Sequence, residues 1–166
     1  DKIFATSEEV ALEDAVVELL EEKGLTLTTA ESCTAGLLAG RIMNVAGASK
    51  VYNEGYITYS NEAKERILGV KHETLEKYGA VSARTAAEMA EGASKAAKAS
   101  ASVSVTGIAG PGGGTEEKPV GLVYVGCQVN GKTRTDELRF TGNRAKNREY
   151  AVVRALTILW EELMVS

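Results

Sequence analysis

The sequence has few of the residues from which metal centres are built. Its 166 residues include one His and two Cys, which are too few for a zinc finger or a His-rich metal cage. A histidine-based catalytic triad would have to use His72 as its base. We therefore expect no metal and no other cofactor.

Long apolar runs and an excess of basic residues are also missing. No run approaches the roughly 18–20 apolar residues that span a bilayer, and the N-terminus lacks the apolar core of a signal peptide. The formal net charge is −4, which argues against a dedicated nucleic-acid-binding protein, since such proteins carry a basic stripe. Two thiols in a chain of this size suggest a reducing cytosol rather than a disulfide framework. We expect a cytoplasmic protein that binds neither membranes nor nucleic acid directly.

Aromatic residues are scarce at 5%, whereas apolar residues as a whole reach 44%. A chain of 166 residues fits one domain, which at this size buries about 68–70% of the surface of the unfolded chain. With so few large rings, Ala and Gly must let the helices approach the sheet closely. The chain begins at Asp1 rather than Met, which suggests a piece of a longer protein.

Apolar spacing and turn residues predict an alternation of helices and strands. Strands joined by helices favour parallel pairing, while Asn130-Gly131 forces an antiparallel hairpin. We predict an α/β fold, a three-layer α/β/α sandwich with a mixed, mainly parallel sheet. The expected N-caps are Ser7, Ser60 or Asn61, and Ser82. Helices are expected at 8–20, 34–44, 61–68, 72–78, 82–99 and 145–163, and strands at 25–30, 51–60, 100–106, 120–129 and 133–140.

The most informative segment is the strand-to-helix junction at residues 29–36. Such a junction directs backbone N–H groups and the positive end of a helix beyond the edge of the sheet. Ser32 or Cys33 would be activated there, and an oxyanion would be stabilised. The alternative is that Ser32 only caps the helix and that Cys33 is a small buried apolar residue.

Two further segments carry candidate chemistry. Lys64, in the first turn of a predicted helix after Tyr59, could replace the missing histidine as a base if it were desolvated beside a serine. Thr106 precedes the glycine-rich loop 107–114, which allows close backbone approach to a ligand but is not a P-loop. The alternatives are a solvated lysine and a flexible surface loop.

Charged residues elsewhere are harder to interpret from the sequence. His72 is expected at the start of an exposed short helix, where catalysis is not favoured. Arg144, Lys146 and Arg148 lie at the start of the last helix, where cations oppose the helix dipole. An anionic ligand or a neighbouring carboxylate would explain them. Alternatively, they pair with Glu149 or with water.

Five motifs together resemble the C-terminal domain of the competence/damage-inducible protein CinA, the family of the nicotinamide-nucleotide amidohydrolases. They are TAESCTAG (29–36), GYITYSNEAK (55–64), GAVS (79–82), TGIAGPGGG (106–114) and EKPVG (117–121). The likeness extends from about residue 8 to residue 163. It implies a three-layer α/β/α sandwich and the deamidation of nicotinamide mononucleotide to nicotinate mononucleotide and ammonia, a step of pyridine-nucleotide salvage.

The resemblance also implies roles for individual residues. Ser32 corresponds to the nucleophile and Lys64 to the catalytic lysine, with Tyr59 and Thr106 as further catalytic residues. Asn143 stands where the family usually has Asp, which leaves the assignment of the phosphate to Arg144 open. Ala35 replaces a usual Gly, a change of one methyl group. The implied substrate-binding residues are Glu31, Cys33, Thr34, Gly107, Ile108, Ala109, Gly110, Gly112, Gly113 and Arg144.

We hypothesise that neutral Lys64 takes the proton of Ser32, and that Ser32 attacks the carboxamide carbon. Backbone N–H groups after Ser32 would hold the oxyanion, with Thr106 as a further donor. One alternative is a catalytically weak nucleotide-binding or interaction module, and another is a thiol hydrolase that uses Cys33. We expect a homo-oligomer. Residues 1–7 are interpreted as the remnant of a junction to an N-terminal CinA domain, and residues 8–166 as the amidohydrolase domain.

Overall fold

The computed structural model describes residues 11–166, which form one five-stranded sheet with helices on both faces. The predicted inter-domain junction at 1–7 and the predicted cap Ser7 lie outside these residues. The helices are α1 (Leu12–Lys23), α2 (Leu37–Met43), α3 (Asn61–Leu68), α4 (His72–Tyr78), α5 (Ala83–Ala97) and α6 (Arg144–Val165), with a 3-10 turn at Ala48–Lys50. The strands are β1 (Leu27–Glu31), β2 (Tyr56–Ile57), β3 (Ala101–Gly107), β4 (Leu122–Val129) and β5 (Lys132–Arg139).

The strand order β2-β1-β3-β4-β5 makes a mixed sheet, as predicted. β1 pairs in parallel with both β2 and β3, whereas β4 pairs antiparallel with β3 and β5. Four of the five strands therefore run in one direction, which agrees with the predicted mixed, mainly parallel sheet, and the four pairings divide evenly between parallel and antiparallel. The hairpin at Asn130 and Gly131 accounts for the antiparallel pairing of β4 with β5, because its φ angles of +50° and +84° match a tight turn that reverses the chain.

Helices cover both faces of the sheet, which gives the three-layer arrangement. α1, α2 and α6 pack on one face, where apolar side chains such as Val103, Val125 and Leu156 form the larger core. α3, α4 and α5 occupy the other face, where Leu68 and Met89 belong to a smaller apolar cluster. In the described part of the chain, no helix combines the length and the apolar character needed to cross a membrane.

Small side chains bring α5 very close to the sheet, as the shortage of aromatic residues predicts. Ser102 and Ser104 of β3 donate hydrogen bonds of 2.6 Å to the carbonyls of Ala90 and Ala86 in α5. A Cβ atom on Gly126 would lie only 2.4 Å from the Ala86 carbonyl oxygen. Hydrogen bonds to the helix backbone thus replace part of the apolar packing on this face. This close approach depends on small side chains.

The strand predicted at 51–60 is wrong in extent, because only Tyr56–Ile57 pairs as a strand. Tyr52 makes an isolated bridge to Leu27, and the Thr28 hydroxyl donates to the Glu54 carbonyl at 2.7 Å. A side chain therefore takes the place of the backbone ladder before Tyr56. The strand is short at this sheet edge, and the chain turns directly into α3.

Candidate active site

The turn that carries Ser32 joins β1 to α2 and is held from inside the protein by Glu31. The Glu31 side chain is fully buried, and its two oxygens act as the cap that α2 requires. Ser32 is thereby relieved of the capping role, so the alternative that it is only an N-cap is wrong. The carboxylate accepts four hydrogen bonds, from the Thr34 hydroxyl (2.6 Å) and from the N–H groups of Gly36 (3.1 Å), Leu38 (2.9 Å) and Ala39 (2.9 Å). The Glu31 carboxylate is buried and bonded within the chain, and its assignment to substrate binding stays a prediction.

Changing Glu31 to glutamine should destabilise the fold. The amide nitrogen of glutamine cannot accept a hydrogen bond, so at least one buried N–H group of the turn loses its acceptor. We expect the free energy of unfolding to fall by about 2 kcal/mol or more, measured from urea denaturation curves. Glu62→Gln is the matched control. Glu62 is exposed and, among residues 11–166, its carboxylate pairs only with Arg66, so its loss should leave the urea midpoint nearly unchanged. An unchanged midpoint for Glu31→Gln would contradict this account of the turn.

Lys64 is buried next to Ser32, so the alternative of a solvated surface lysine is wrong. It lies in the first turn of α3, which Ser60 caps by accepting the Ala63 N–H at 3.0 Å. The residue is 1% exposed. Its Nζ donates hydrogen bonds to Ser32 Oγ (3.0 Å) and to the carbonyls of Thr58 (2.9 Å) and Tyr59 (3.1 Å). All three ammonium protons thus have partners.

Burial lowers the pKa of Lys64 from 10.5 to about 8, because the charged form loses its hydration. Within residues 11–166, Lys64 forms no ion pair with a carboxylate that would oppose this shift. When the amine is neutral, its two N–H groups suffice for the two carbonyls, and its lone pair is left facing Ser32 Oγ. The arrangement can therefore accept a proton from the serine.

Cys33 is buried, and burial raises the pKa of its thiol to about 11. The thiolate is the nucleophilic form of cysteine, and it is scarce near neutral pH at such a pKa. The geometry thus disfavours the thiol-hydrolase alternative. It favours the interpretation of Cys33 as a small buried apolar residue.

These residues line a cavity of about 250 Å³, here called the Ser32 cavity. A second cavity of about 560 Å³ adjoins it through Ala109 and Arg144. Predicted site residues from four distant segments thus meet around one space. The lining residues of the Ser32 cavity are Ser32, Cys33, Tyr59, Lys64, Ala80, Val81, Thr106, Gly107, Ala109 and Arg144.

Tyr59 and Thr106 reach the cavity, but not by the contacts that a catalytic role would suggest. The backbone carbonyl of Tyr59 accepts hydrogen bonds from Lys64 and, at 3.5 Å, from Ser32 Oγ. The Tyr59 residue itself is 64% exposed. The Thr106 hydroxyl donates to the Ala80 carbonyl at 2.9 Å. In the structure, Tyr59 positions Lys64 through its backbone, and Thr106 stabilises the cavity wall.

The glycine loop contributes Gly107 and Ala109 to the lining of the Ser32 cavity. Ile108 makes two backbone hydrogen bonds, donating to the carbonyl of Leu122 at the start of β4 (2.9 Å) and accepting from the N–H of Gly121 just before it (2.7 Å). Gly112 and Gly113 lie on an exposed stretch. The lining of the Ser32 cavity includes Gly107 and Ala109 but not Thr34, Ile108, Gly110, Gly112 and Gly113.

Two of the three cations at the start of α6, Arg144 and Arg148, donate to backbone carbonyls, a kind of partner that neither explanation from the sequence included. Arg144 Nη1 donates to the Gly110 carbonyl at 2.8 Å. Arg148 donates to the carbonyls of Cys33 (2.9 Å, from Nε) and Thr34 (3.2 Å, from Nη2). These contacts involve neither Glu149 nor another carboxylate. Sequence reasoning singled out these residues by their charge but could not identify partners so distant in the chain.

Sequence reasoning missed Asn147. Its side chain is buried, donates to the Ala109 carbonyl at 3.0 Å and accepts the Gly142 N–H at 3.0 Å. It therefore holds the wall of the Ser32 cavity against the start of α6. The only available signal was a polar residue on the inner face of a predicted amphipathic helix.

His72 lies outside the Ser32 cavity, as expected of a residue at the start of an exposed helix. Its ring contacts Glu65 (3.0 Å) and Glu76 (3.3 Å), and the hydrogen bond to Glu65 is the main cause that raises its pKa. Across residues 11–166, no three His, Cys, Asp or Glu side chains cluster as metal ligands would.

Comparison with known sequences shows extended likeness. A competence-damage inducible protein from Clostridium novyi is 54% identical over 156 residues, which is 94% of this chain and 38% of that protein. A CinA-like protein from Kosmotoga olearia is 56% identical over 162 residues, 98% of this chain and 39% of that protein. The chain thus spans about two-fifths of the length of these relatives.

Comparison with solved structures agrees with the sequence comparison. A competence/damage inducible protein from Agrobacterium tumefaciens superposes with a TM-score of 0.85 at 44% identity, over 89% of this chain and 93% of that one. A CinA superfamily protein from Klebsiella pneumoniae gives a TM-score of 0.90 at 37% identity, over 93% and 97%. The family model described as the CinA C-terminal domain matches residues 9–163. The chain therefore belongs to the CinA C-terminal domain family.

Proposed function

We propose that this domain is an amidohydrolase that converts nicotinamide mononucleotide into nicotinate mononucleotide and ammonia. The observation that carries the proposal is the 3.0 Å contact between Ser32 Oγ and the buried Lys64 amine in the wall of a cavity. A serine beside a desolvated lysine is a nucleophile with its own base. The substrate is inferred from the resemblance to the nicotinamide-nucleotide amidohydrolases.

In the first half of the reaction, neutral Lys64 accepts the hydroxyl proton of Ser32 as Oγ forms a bond to the carboxamide carbon. The tetrahedral intermediate carries its negative charge on the former carbonyl oxygen. We assign this oxyanion to the N–H groups of Cys33 and Thr34, which donate hydrogen bonds to no other described residue. Lys64 then returns the proton to the amide nitrogen, the C–N bond breaks and ammonia leaves.

In the second half, water attacks the acyl group on Ser32. Lys64 accepts a proton from the water and returns it to Ser32 Oγ when the ester bond breaks. The sum is one amide and one water converted into one carboxylic acid and one ammonia. The second cavity beside Arg144 is the proposed place of the ribose phosphate, which would use binding energy remote from the reacting bond to orient the carboxamide.

The direct test is ammonia release from nicotinamide mononucleotide by the purified domain, with the binding of nicotinate mononucleotide measured in parallel by calorimetry. Ammonia release with a matching amount of nicotinate mononucleotide supports the proposal. Tight nucleotide binding without ammonia would instead favour the weak or inactive nucleotide-binding module. The homo-oligomer, the cytoplasmic location and a preceding CinA domain in the full-length protein remain predictions.

The pH dependence of kcat should follow the protonation of Lys64. Only the neutral amine acts as a base, and its pKa is lowered to about 8. The rate should therefore fall about tenfold per pH unit well below pH 8, rise through pH 8 and level off above it. Stopped-time ammonia assays in overlapping buffers would measure the profile. A midpoint near 6.5 or near 10.5 would contradict a buried lysine base.

A further inference from the structure

Arg148 connects the last helix to the turn that carries Ser32. It lies in α6 and is half-buried. Its guanidinium donates to two successive carbonyls, those of Cys33 and Thr34, across 115 and 114 residues of sequence. No role for Arg148 follows from the chemistry of the Ser32–Lys64 pair alone.

These two carbonyls belong to peptide units whose N–H groups lie in the same turn. In a trans peptide the N–H points away from the C=O of the same unit. The unit that contains the Cys33 carbonyl also contains the Thr34 N–H, so Arg148 sets the direction of that N–H. The neighbouring unit is held separately, because the Ser32 carbonyl accepts the Ala35 N–H at 3.2 Å. The Thr34 N–H is thus oriented through the Cys33 carbonyl, and the Cys33 N–H through the Ser32 carbonyl.

We propose that Arg148 is a positioning residue that holds and polarises the oxyanion-binding N–H group of Thr34 beside Ser32. This inference rests on the proposed amide hydrolysis. A cation bound to a carbonyl oxygen draws electron density from its peptide unit and makes the N–H of that unit a stronger donor. Arginine suits the task because its fork of rigid N–H groups can hold two carbonyls at once, whereas a lysine ammonium is a single point.

The position of Arg148 predicts a specific kinetic defect. The guanidinium lies behind the turn and touches the carbonyl side of the peptide planes, so its loss should weaken the transition state more than the bound substrate. Removing one oxyanion donor in other hydrolases costs about 10²–10³-fold in kcat. If Arg148 only stabilised the fold, its loss would lower the free energy of unfolding without lowering kcat selectively over KM.

The experiment compares Arg148→Met, Arg148→Lys and the wild type for ammonia release from nicotinamide mononucleotide. Arg154→Met is the control, because it removes another half-buried arginine from the same helix. We expect Arg148→Met to lower kcat about 100-fold while KM and the Kd of nicotinate mononucleotide change by less than about threefold. Arg148→Lys, which retains the charge, should recover about tenfold of the loss. The control should match the wild type.

A second readout does not depend on the nucleotide. The rate at which a small fluorophosphonate labels Ser32, followed by mass spectrometry, should fall in parallel with kcat in both Arg148 variants, because phosphonylation also needs the oxyanion donors. Urea denaturation checks that each variant is folded, and Arg148→Lys serves if Arg148→Met is not.

The outcomes separate the two proposals. If the wild type releases ammonia but the folded Arg148 variants keep its kcat and its labelling rate, the role of Arg148 is wrong and the proposed function stands. If KM rises as much as kcat falls, Arg148 acts on binding and the positioning role is again wrong. If the wild type releases no ammonia, the proposed function fails, and the labelling rates still decide whether Arg148 orients the turn. Wild-type protein that is not labelled at Ser32 overturns the role of Arg148.

Discussion

Changing Ser32 to alanine is expected to abolish ammonia release from nicotinamide mononucleotide, with a loss in kcat of at least about 10⁴-fold. Without Oγ there is no atom to form the acyl intermediate, and the high pKa of the neighbouring thiol leaves no ready substitute. The Kd of nicotinate mononucleotide should remain close to that of the wild type, since the hydroxyl is a small part of the cavity wall. Ammonia release and calorimetric binding measure the two quantities.

Cys33→Ala is the matched control for the nucleophile. It removes the thiol but retains the backbone N–H that we assign to the oxyanion. We expect it to keep activity within about tenfold of the wild type and to be labelled by fluorophosphonate at Ser32. If Ser32→Ala still turns over while Cys33→Ala does not, the nucleophile is the cysteine and the proposed mechanism is wrong.

Changing Lys64 to methionine is expected to cause the second large loss of kcat. Methionine approximates the buried stem of lysine but has no basic atom, so Ser32 loses the group that accepts its proton. We expect kcat to fall about 10³-fold or more, at the upper end of general-base effects, because the same amine also protonates the leaving nitrogen. The steady-state rate of ammonia release is the measurement, with the urea midpoint as the check that the variant folds.

Two further variants sharpen this prediction. Lys64→Arg keeps a cation but not a base, since a guanidinium does not lose its proton in this pH range. It should be as inactive as Lys64→Met. The double variant Ser32→Ala/Lys64→Met should be little worse than either single change, because residues that act as one unit are not additive. Activity in Lys64→Arg, or fully additive losses, would show that the lysine does not act as the base of Ser32.

Local features of the fold were predictable because they depend on the preferences of a few adjacent residues. Ser60 and Ser82 cap their helices as expected, by accepting the N–H groups of Ala63 and Thr85. The hairpin at Asn130-Gly131 follows from the ease with which these two residues adopt positive φ. The predicted extent of the strand at 51–60 was wrong, because the length of this strand depends on partners in β1 rather than on its own β-branched and aromatic residues.

Residue order and composition were enough to predict the order of elements, the junction that carries Ser32 and the need for a base other than histidine. These follow from side-chain periodicity, local backbone preferences and a single His. Three features became visible only in the folded chain: Glu31 caps α2, Lys64 is desolvated against Ser32, and Arg148 binds the carbonyls of the turn after Ser32. For Lys64 and Arg148, the pKa and the hydrogen-bond direction depend on burial and on partners that are close in space but 32 to 115 residues apart in the chain. Glu31 caps α2 through groups three to eight residues away, and their convergence on one carboxylate depends on the folded turn.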